Sequence, residues 1–251
     1  MFGIFKNKKK PPKPIGTSPG GSTIYKYDER QDPGLRIPAV SGVYVEEVEA
    51  YFAALFPDSE HSVLHEIASD LIHVDVHVLS PSAAHDYYVI FTTGMSDLPM
   101  CVPPEMPDAD TYKHAELFMY LPPDWDPKKA LEMDGDTPNE NFWPLSFIKY
   151  LARLPHEYQT WLGEGHTIPN GPNYTPILPN SRMSAFVLIE LEAPSETQAK
   201  DGQTLRFYMV QPLSEAETEY KLEHGMDALT ARFAEKNVPL VADIHRKSLI
   251  Y

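Results

Sequence analysis

Residues 141–171 have the sequence NFWPLSFIKYLARLPHEYQTWLGEGHTIPNG, which combines the clearest amphipathic helix of the chain with its most unusual loop. Pro144 suits a first helical turn, because its missing N–H costs nothing there. Apolar residues then recur at helical spacing, namely Leu145, Ile148, Leu151 and Ala152. Pro155 cannot continue the helical hydrogen bonds, so the sequence predicts a core helix that ends there and a second, short helical turn that begins at Pro155.

The loop after this second turn holds two glycines, in the order Trp161, Leu162, Gly163, Glu164, Gly165 and His166. We expect the chain to bend sharply at the glycines and to pass close to another segment. The carboxylate between them would repel a phosphate, so they do not indicate a phosphate-binding loop. Trp161 has two interpretations, an exposed contact for a protein partner or a core anchor that holds the loop.

The composition predicts a globular protein with an acidic body. The 251 residues are 42% hydrophobic and 11% aromatic, which is enough to bury a core. The formal net charge is -15, but the first 23 residues hold five lysines and no acid, so residues 24–251 carry 16 basic and 36 acidic residues, a net charge of -20. Such a body repels phosphate backbones and attracts basic proteins, which argues against nucleic acid as a ligand.

The chain divides into a tail and one domain. Residues 1–23 are rich in lysine, proline and glycine and cannot bury enough apolar surface to offset their ordering entropy, so we predict a disordered basic tail. A weak contact of its apolar start with an anionic membrane is the alternative. That start is too short for a signal peptide, and no run approaches the roughly 18 apolar residues of a membrane span. Residues 24–251 are predicted to form a single cytoplasmic domain.

Strands and helices are mixed along this domain. Val43 to Phe56 has apolar residues at helical spacing, and Leu71 to Leu79 alternates between apolar and polar residues. Further strands are predicted at residues 87–93, 115–121, 184–191, 205–211 and 238–244, and helical structure divided by Gly225 at residues 213–237. Because strands and helices do not alternate regularly, we expect an α+β fold with a mixed, largely antiparallel sheet packed against helices.

A metal site is one hypothesis for the strand at residues 71–79, whose polar face carries His73, Asp75 and His77. Imidazole and carboxylate groups form a common ligand set, which would fit a metal-dependent hydrolase. Three more histidines close in sequence could complete such a site: His61, His65 and His85. The other interpretation is a polar strand face that meets solvent or a hydrogen-bond partner, with no metal or cofactor.

Two candidate nucleophiles lack the surroundings that catalysis needs. Ser96 stands in the order Gly-Met-Ser-Asp-Leu, which lacks the second glycine of a nucleophile elbow and is interpreted as a turn in which Gly94 takes a positive φ. Cys101 has no motif that activates a thiol. As the single cysteine it also excludes an intramolecular disulfide and a multi-thiolate metal site, and it fits a reducing compartment.

Residues 92–100 have the sequence TTGMSDLPM and residues 115–125 the sequence AELFMYLPPDW, and with residues 143–171 they resemble the suppressor of fused domain family in its bacterial branch. The resemblance covers residues 43–251. It implies an α+β domain that binds proteins and has no established catalytic mechanism. Bacterial members are regarded as immunity proteins against secreted polymorphic toxins, so the resemblance implies a toxin domain as the partner.

On these residues we predict a partner-binding surface that includes Asp97, Trp161, Glu164 and His166. The other motif residues are predicted to be structural: Gly94, Met95, Ser96, Pro99, Trp125, Gly163 and Gly165. The expected partner is a basic toxin, because toxins that cut nucleic acid are often basic and an acidic body would attract one.

Overall fold

One large sheet forms the centre of the computed structural model, which describes residues 12–27, 38, 40–69, 71–134, 137–138 and 140–250. In chain order the strands are β1 (Pro14–Thr17), β2 (Thr23–Tyr25), β3 (His61–Leu64), β4 (Asp75–Leu79), β5 (Tyr88–Thr93), β6 (His114–Leu121), β7 (Met133–Asp134), β8 (Thr137–Pro138), β9 (Thr167–Pro169), β10 (Met183–Ile189), β11 (Glu196–Gln198) and β12 (Thr204–Ser214). The α-helices are α1 (Val45–Leu55), α2 (Trp143–Tyr158), α3 (Glu215–His224) and α4 (Met226–Glu235). Short 3-10 turns lie at Ala109–Tyr112, Lys129–Leu131 and Glu140–Phe142.

The large sheet has the strand order β3-β4-β5-β6-β12-β10-β9, with β11 beside β12. Its neighbouring pairs are antiparallel except β6 and β12, which run parallel. β1 with β2 and β7 with β8 form two separate hairpins. The predicted α+β class with a mixed, largely antiparallel sheet is confirmed.

Helices cover both faces of the sheet. Ile148 of α2 is buried in a core that includes Val76 of β4 and Leu117 of β6. On the opposite face Phe52 of α1 stacks on Phe91 of β5, with ring centroids 4.0 Å apart. The period-two alternation of the strands produces this division, because successive side chains point to opposite faces. Both predicted helices therefore supply core residues, α2 to one face and α1 to the other.

α2 runs unbroken through Pro155, although the sequence predicted a break there. The missing N–H of Pro155 removes one helical hydrogen bond only in the last turn, and the proline ring is buried. Gln159 ends the helix in the left-handed conformation, with φ 54°, and donates its N–H to the Pro155 carbonyl. Trp161 therefore lies beyond the helix, in a loop rather than in a second helical turn.

Part of the predicted tail is folded. The β1–β2 hairpin docks where α3 meets α4, because the Gly20 N–H donates to the Leu222 carbonyl at 2.7 Å and Lys221 Nζ donates to Ser22 Oγ at 2.8 Å. A Cβ at Gly20 would stand only 2.4 Å from the Gly225 nitrogen. Composition does not reveal this docking, since backbone and polar groups make it. Residues 1–11 lie outside the described residues.

The predicted strand at residues 238–244 is reduced to one parallel bridge, between Val241 and Tyr120. β12 pairs with β6 as far as Phe118, so only the end of β6 is free to accept another segment. The Ala242 N–H donates to the Tyr120 carbonyl there at 2.8 Å.

Gly94 turns the chain sharply where β5 ends. Its φ is 103°, in the region that side-chain-bearing residues rarely adopt, and a Cβ would stand 1.8 Å from the His73 carbonyl oxygen. Backbone from the segment before β4 therefore occupies the space that a side chain would need. The positive φ expected at this turn is confirmed.

We expect the Gly94→Ala substitution to destabilise the protein by about 3 kcal/mol or more, because strain at φ adds to a clash that only backbone movement relieves. Gly202→Ala is the matched control, since Gly202 also has a positive φ, 86°, but nothing lies within 4 Å of its Cβ position. That change should cost about 1 kcal/mol. Urea unfolding measures both, and equal losses would contradict the tight approach to His73.

Candidate functional site

Glu116 of β6 is a carboxylate buried without any exposed surface. It accepts three hydrogen bonds, from Thr92 Oγ1 at 2.6 Å, the Ser96 N–H at 2.9 Å and Ser96 Oγ at 2.6 Å. Burial raises the pKa of the Glu116 carboxyl to about 7, although the hydrogen-bond donors favour the charged form. Through these bonds β6 fixes the loop that follows β5, residues 94–101, which we call the motif loop.

Two buried histidines hold carbonyl groups of the motif loop. His114 Nδ1 lies 2.7 Å from the Ser96 oxygen, and His156 Nε2 of α2 lies 2.9 Å from the Met95 oxygen. In each pair the imidazole N–H donates and the carbonyl accepts. Burial lowers the pKa of His156 to about 4, which keeps this ring neutral at physiological pH. The motif loop is therefore attached to β6 and to the last turn of α2.

Asp97, one of the predicted partner contacts, points into the protein. Its carboxylate accepts the Gly42 N–H at 2.6 Å and the Val43 N–H at 2.8 Å, and only 7% of the residue is exposed. These amides belong to the segment that leads into α1. The observed role of Asp97 is thus to attach that segment to the motif loop.

Ser96 is not arranged as a nucleophile. Its hydroxyl is buried and donates to Glu116, while His114 contacts the Ser96 carbonyl instead of the hydroxyl. A base must contact the hydroxyl itself to activate it. The turn interpretation of Gly94, Met95 and Ser96 fits this geometry.

The segment from 160 to 166, which we call the tryptophan loop, lies against the motif loop. The Cys101 N–H donates to the Thr160 carbonyl at 2.9 Å, and the Leu162 N–H approaches Met100 Sδ at 3.4 Å. At its other end the Gly165 N–H donates to the Leu188 carbonyl of β10 at 2.8 Å. The close approach expected at the glycines is therefore made to β10.

Trp161 is half-buried and packs partly on the core that α2 covers. Its ring meets the His166 ring edge-on, with centroids 4.4 Å apart. A Cβ at Gly163 would stand 2.5 Å from the indole, so the absent side chain makes room for this ring. Trp161 also lines a groove of about 260 Å³, together with Tyr25 and Cys101. Both interpretations of Trp161 thus apply in part: it holds the loop and presents surface to a groove.

Glu164 is exposed at the tip of the tryptophan loop. Partial burial raises the pKa of its carboxyl, and the nearby charges of Glu190 and Asp227 raise it further. His166 beside it is half-buried, and burial lowers the pKa of its ring to about 4, so it carries no charge at neutral pH. Glu164 and Asp227 therefore contribute negative charge near the loop tip, while Glu190 is paired with Arg206 at 3.0 Å.

The histidine-rich strand face does not form a single site. His73 Nε2 lies 3.0 Å from Asp75 Oδ1, and His65 Nδ1 lies 2.9 Å from Asp75 Oδ2. His77 instead lies 2.9 Å from His61 and 3.5 Å from Glu49 of α1. The predicted set of His73, Asp75 and His77 is thus divided between two groups of side chains.

The remaining motif residues differ in burial. Met95 is fully buried, and Trp125 is buried and donates its indole N–H to the Asn141 carbonyl at 2.9 Å. Pro99 is exposed. Glu116 was missed as a key residue, although a lone carboxylate inside the apolar run at residues 115–121 was a signal for it.

Removing the Glu116 carboxylate tests its place in this arrangement. We expect Glu116→Ala to lower the free energy of unfolding by about 3 kcal/mol, because three buried donors lose their acceptor. Glu116→Gln should cost far less, since its amide oxygen can keep the Ser96 bonds and the Thr92 hydroxyl can rotate towards the Leu117 carbonyl, 3.4 Å away. Chemical denaturation at pH 7 compares them, and equal losses would contradict the hydrogen-bonding role.

The depressed pKa of His156 predicts acid sensitivity. Between pH 6.5 and about 4, His156 is protonated in the unfolded chain but remains neutral in the folded protein. The free energy of unfolding therefore falls as the pH falls through this window. His156→Gln should reduce the slope of unfolding free energy against pH by about 1 kcal/mol per pH unit. An unchanged slope would contradict the buried neutral ring.

The comparison with known proteins matches residues 70–247 to the family model described as suppressor of fused protein (SUFU). The Ureaplasma parvum serovar 3 protein UU111 is 23% identical over 145 residues, which are 57% of this chain and 66% of that protein.

Among the helices that the structure describes, none has the length and apolar character that a membrane crossing requires.

Solved structures share the fold. A suppressor of fused homologue from Neisseria gonorrhoeae FA 1090 has a TM-score of 0.58 at 16% identity, over 83% of this chain and 97% of that one. The Sufu–Fu complex gives 0.59 at 12% identity, over 81% and 91%. Drosophila Suppressor of Fused gives 0.58 at 12% identity, over 87% of this chain but 54% of that one. The match of the family model over most of the chain places this protein in the suppressor of fused family.

Proposed function

We propose that this protein is a non-enzymatic, cytoplasmic binding protein that neutralises a basic toxin domain as its immunity partner. Membership of the suppressor of fused family supports a protein-binding role, and a similar fold occurs in the Sufu–Fu complex. The net charge of -20 over residues 24–251 selects the kind of partner, because it favours approach of a basic protein and disfavours nucleic acid.

The observation that carries the proposal is the surface of the tryptophan loop. Glu164 is exposed there beside Glu190 and Asp227, and its raised pKa reflects partial burial and their like charges. A cationic side chain of a partner would relieve this repulsion. Binding there would add attraction at short range to the steering that the whole acidic body supplies.

The groove beside the loop supplies an apolar complement. Its walls combine Trp161, Tyr25, Pro12 and Pro14, and the Trp161 ring is held by His166 and Gly163. Aromatic residues that are held in place before binding lose little entropy when a partner arrives, and such residues dominate many interfaces. The proposed interface therefore combines this aromatic groove with the exposed carboxylate of Glu164.

Two of the predicted contacts have different roles in this surface. His166 supports the Trp161 ring and stays neutral, so it positions the loop. Asp97 holds the segment before α1 and contributes by fixing the motif loop beneath the tryptophan loop. Trp161 and Glu164 are the proposed direct contacts.

The proposal expects an adjacent reading frame to encode a toxin domain, and the test uses that domain as the binding partner. Glu164→Lys should slow association at low salt at least tenfold, and the difference should shrink at about 0.5 M salt, because screening removes steering. Asp86→Lys is the matched control: Asp86 is an exposed acid before β5, and β6 and β12 separate that strand from β10. Surface plasmon resonance measures the association rate of each variant.

If both variants associate equally slowly, the electrostatic attraction comes from the overall charge of the protein. The tryptophan loop would then not be part of the interface. Failure of the wild-type protein to bind the neighbouring toxin domain, or to protect a bacterial host that expresses it, would contradict the immunity function.

A further inference from the structure

Three potential metal ligands converge on the face of the sheet that α1 covers. Glu49 comes from α1, His61 from β3 and His77 from β4, and their ligand atoms all lie within 4.8 Å of one another. His61 Nε2 is 2.9 Å from His77 Nδ1, and Glu49 Oε1 is 3.5 Å from the same Nδ1. This trio is separate from the tryptophan loop and from the Glu116 network.

The spacing of these atoms fits a tetrahedral ion. Zinc–nitrogen and zinc–oxygen bonds of about 2.0–2.2 Å require neighbouring ligand atoms to lie about 3.3–3.5 Å apart. The two closest pairs of the trio, at 2.9 and 3.5 Å, lie near this spacing. Small rotations of His61 and Glu49, both at the surface, would bring all three atoms to it.

His77 is held in the orientation that a ligand needs. It is 1% exposed, its ring stacks on Phe91 with centroids 4.6 Å apart, and its Nε2 lies 2.9 Å from Thr93 Oγ1. Metal-binding histidines typically engage their second ring nitrogen in such a hydrogen bond, which fixes the tautomer. With Nε2–H donating to Thr93, the Nδ1 lone pair faces Glu49 and His61.

The ligand types favour a transition metal over magnesium or calcium. Two imidazoles and one carboxylate suit zinc, whereas magnesium and calcium prefer oxygen ligands alone. His61 is exposed and Glu49 has 38% of its side chain exposed, so one side of the trio faces solvent. A fourth position is therefore accessible to water.

We propose that Glu49, His61 and His77 bind one Zn²⁺ ion, with a water molecule as the fourth ligand. The ion would join α1 to the two outer strands β3 and β4 at the edge of the sheet. The site is independent of the proposed toxin partner.

The test is titration of the metal-free, full-length protein with Zn²⁺ in competition with a chromophoric chelator. We expect one ion per chain, and at least tenfold weaker binding in both His61→Gln and Glu49→Gln, two surface changes that leave buried His77 in place. His65→Gln is the matched control, because His65 lies on the same side of the sheet edge but pairs with Asp75. It should bind Zn²⁺ like the wild type.

Thermal unfolding gives a second readout, since an ion that binds only the folded state raises the melting temperature. Zn²⁺ should raise it in the wild type and in His65→Gln but not in His61→Gln. Absence of stoichiometric binding to the wild type would overturn the proposal and leave the trio as a hydrogen-bonded pair beside a carboxylate. Loss of binding in His65→Gln but not in His61→Gln would overturn it too, in favour of the Asp75 group.

Discussion

The carboxylate of Glu116 is the constraint on which the rest of this structure depends. A carboxylate with no exposed surface is costly unless its oxygen atoms find hydrogen-bond donors, and Thr92 and Ser96 provide three. Satisfying it therefore fixes the motif loop against β6. From that loop Asp97 reaches the segment before α1, and the Met95 carbonyl accepts from His156 at the end of α2. One buried carboxyl group thus connects the sheet with the helices on both of its faces.

The proposed binding surface is built on this arrangement. The tryptophan loop follows α2 directly and is attached to the motif loop through Thr160 and to β10 through Gly165. These contacts leave Trp161 half-buried and Glu164 exposed. A loop attached at both ends in this way suits recognition, because its interface groups need little reordering when a partner arrives. The buried Ser96 hydroxyl beneath this surface is committed to Glu116 and is not available as a nucleophile.

The sequence was sufficient for what local patterns determine. The alternation of apolar and polar residues predicted the main strands, and the helical spacing of apolar residues predicted α1 and α2. The two glycines of the tryptophan loop predicted its bend and its close approach to another segment. Contacts between distant segments were not predictable in this way. The bond from Asp97 to Gly42 joins residues 55 positions apart, and Glu49 reaches His77 only because α1 packs on β4. Pro155 stayed within α2 because the missing bond falls in its last turn, and the β1–β2 hairpin is held by backbone and polar contacts that composition does not reveal.

The most direct test of the central role of Glu116 is residue-resolved hydrogen exchange on the Glu116→Ala variant. The amides of Gly42 and Val43 are bonded to Asp97 and do not touch Glu116, so they report whether the constraint passes through the motif loop. We predict that their protection falls together with that of the Ser96 amide, whereas the amides that pair β10 with β12 lose only the protection that the lower global free energy of unfolding accounts for. If the Ser96 amide loses protection and those of Gly42 and Val43 do not, Glu116 holds only its own neighbours and the account is contradicted.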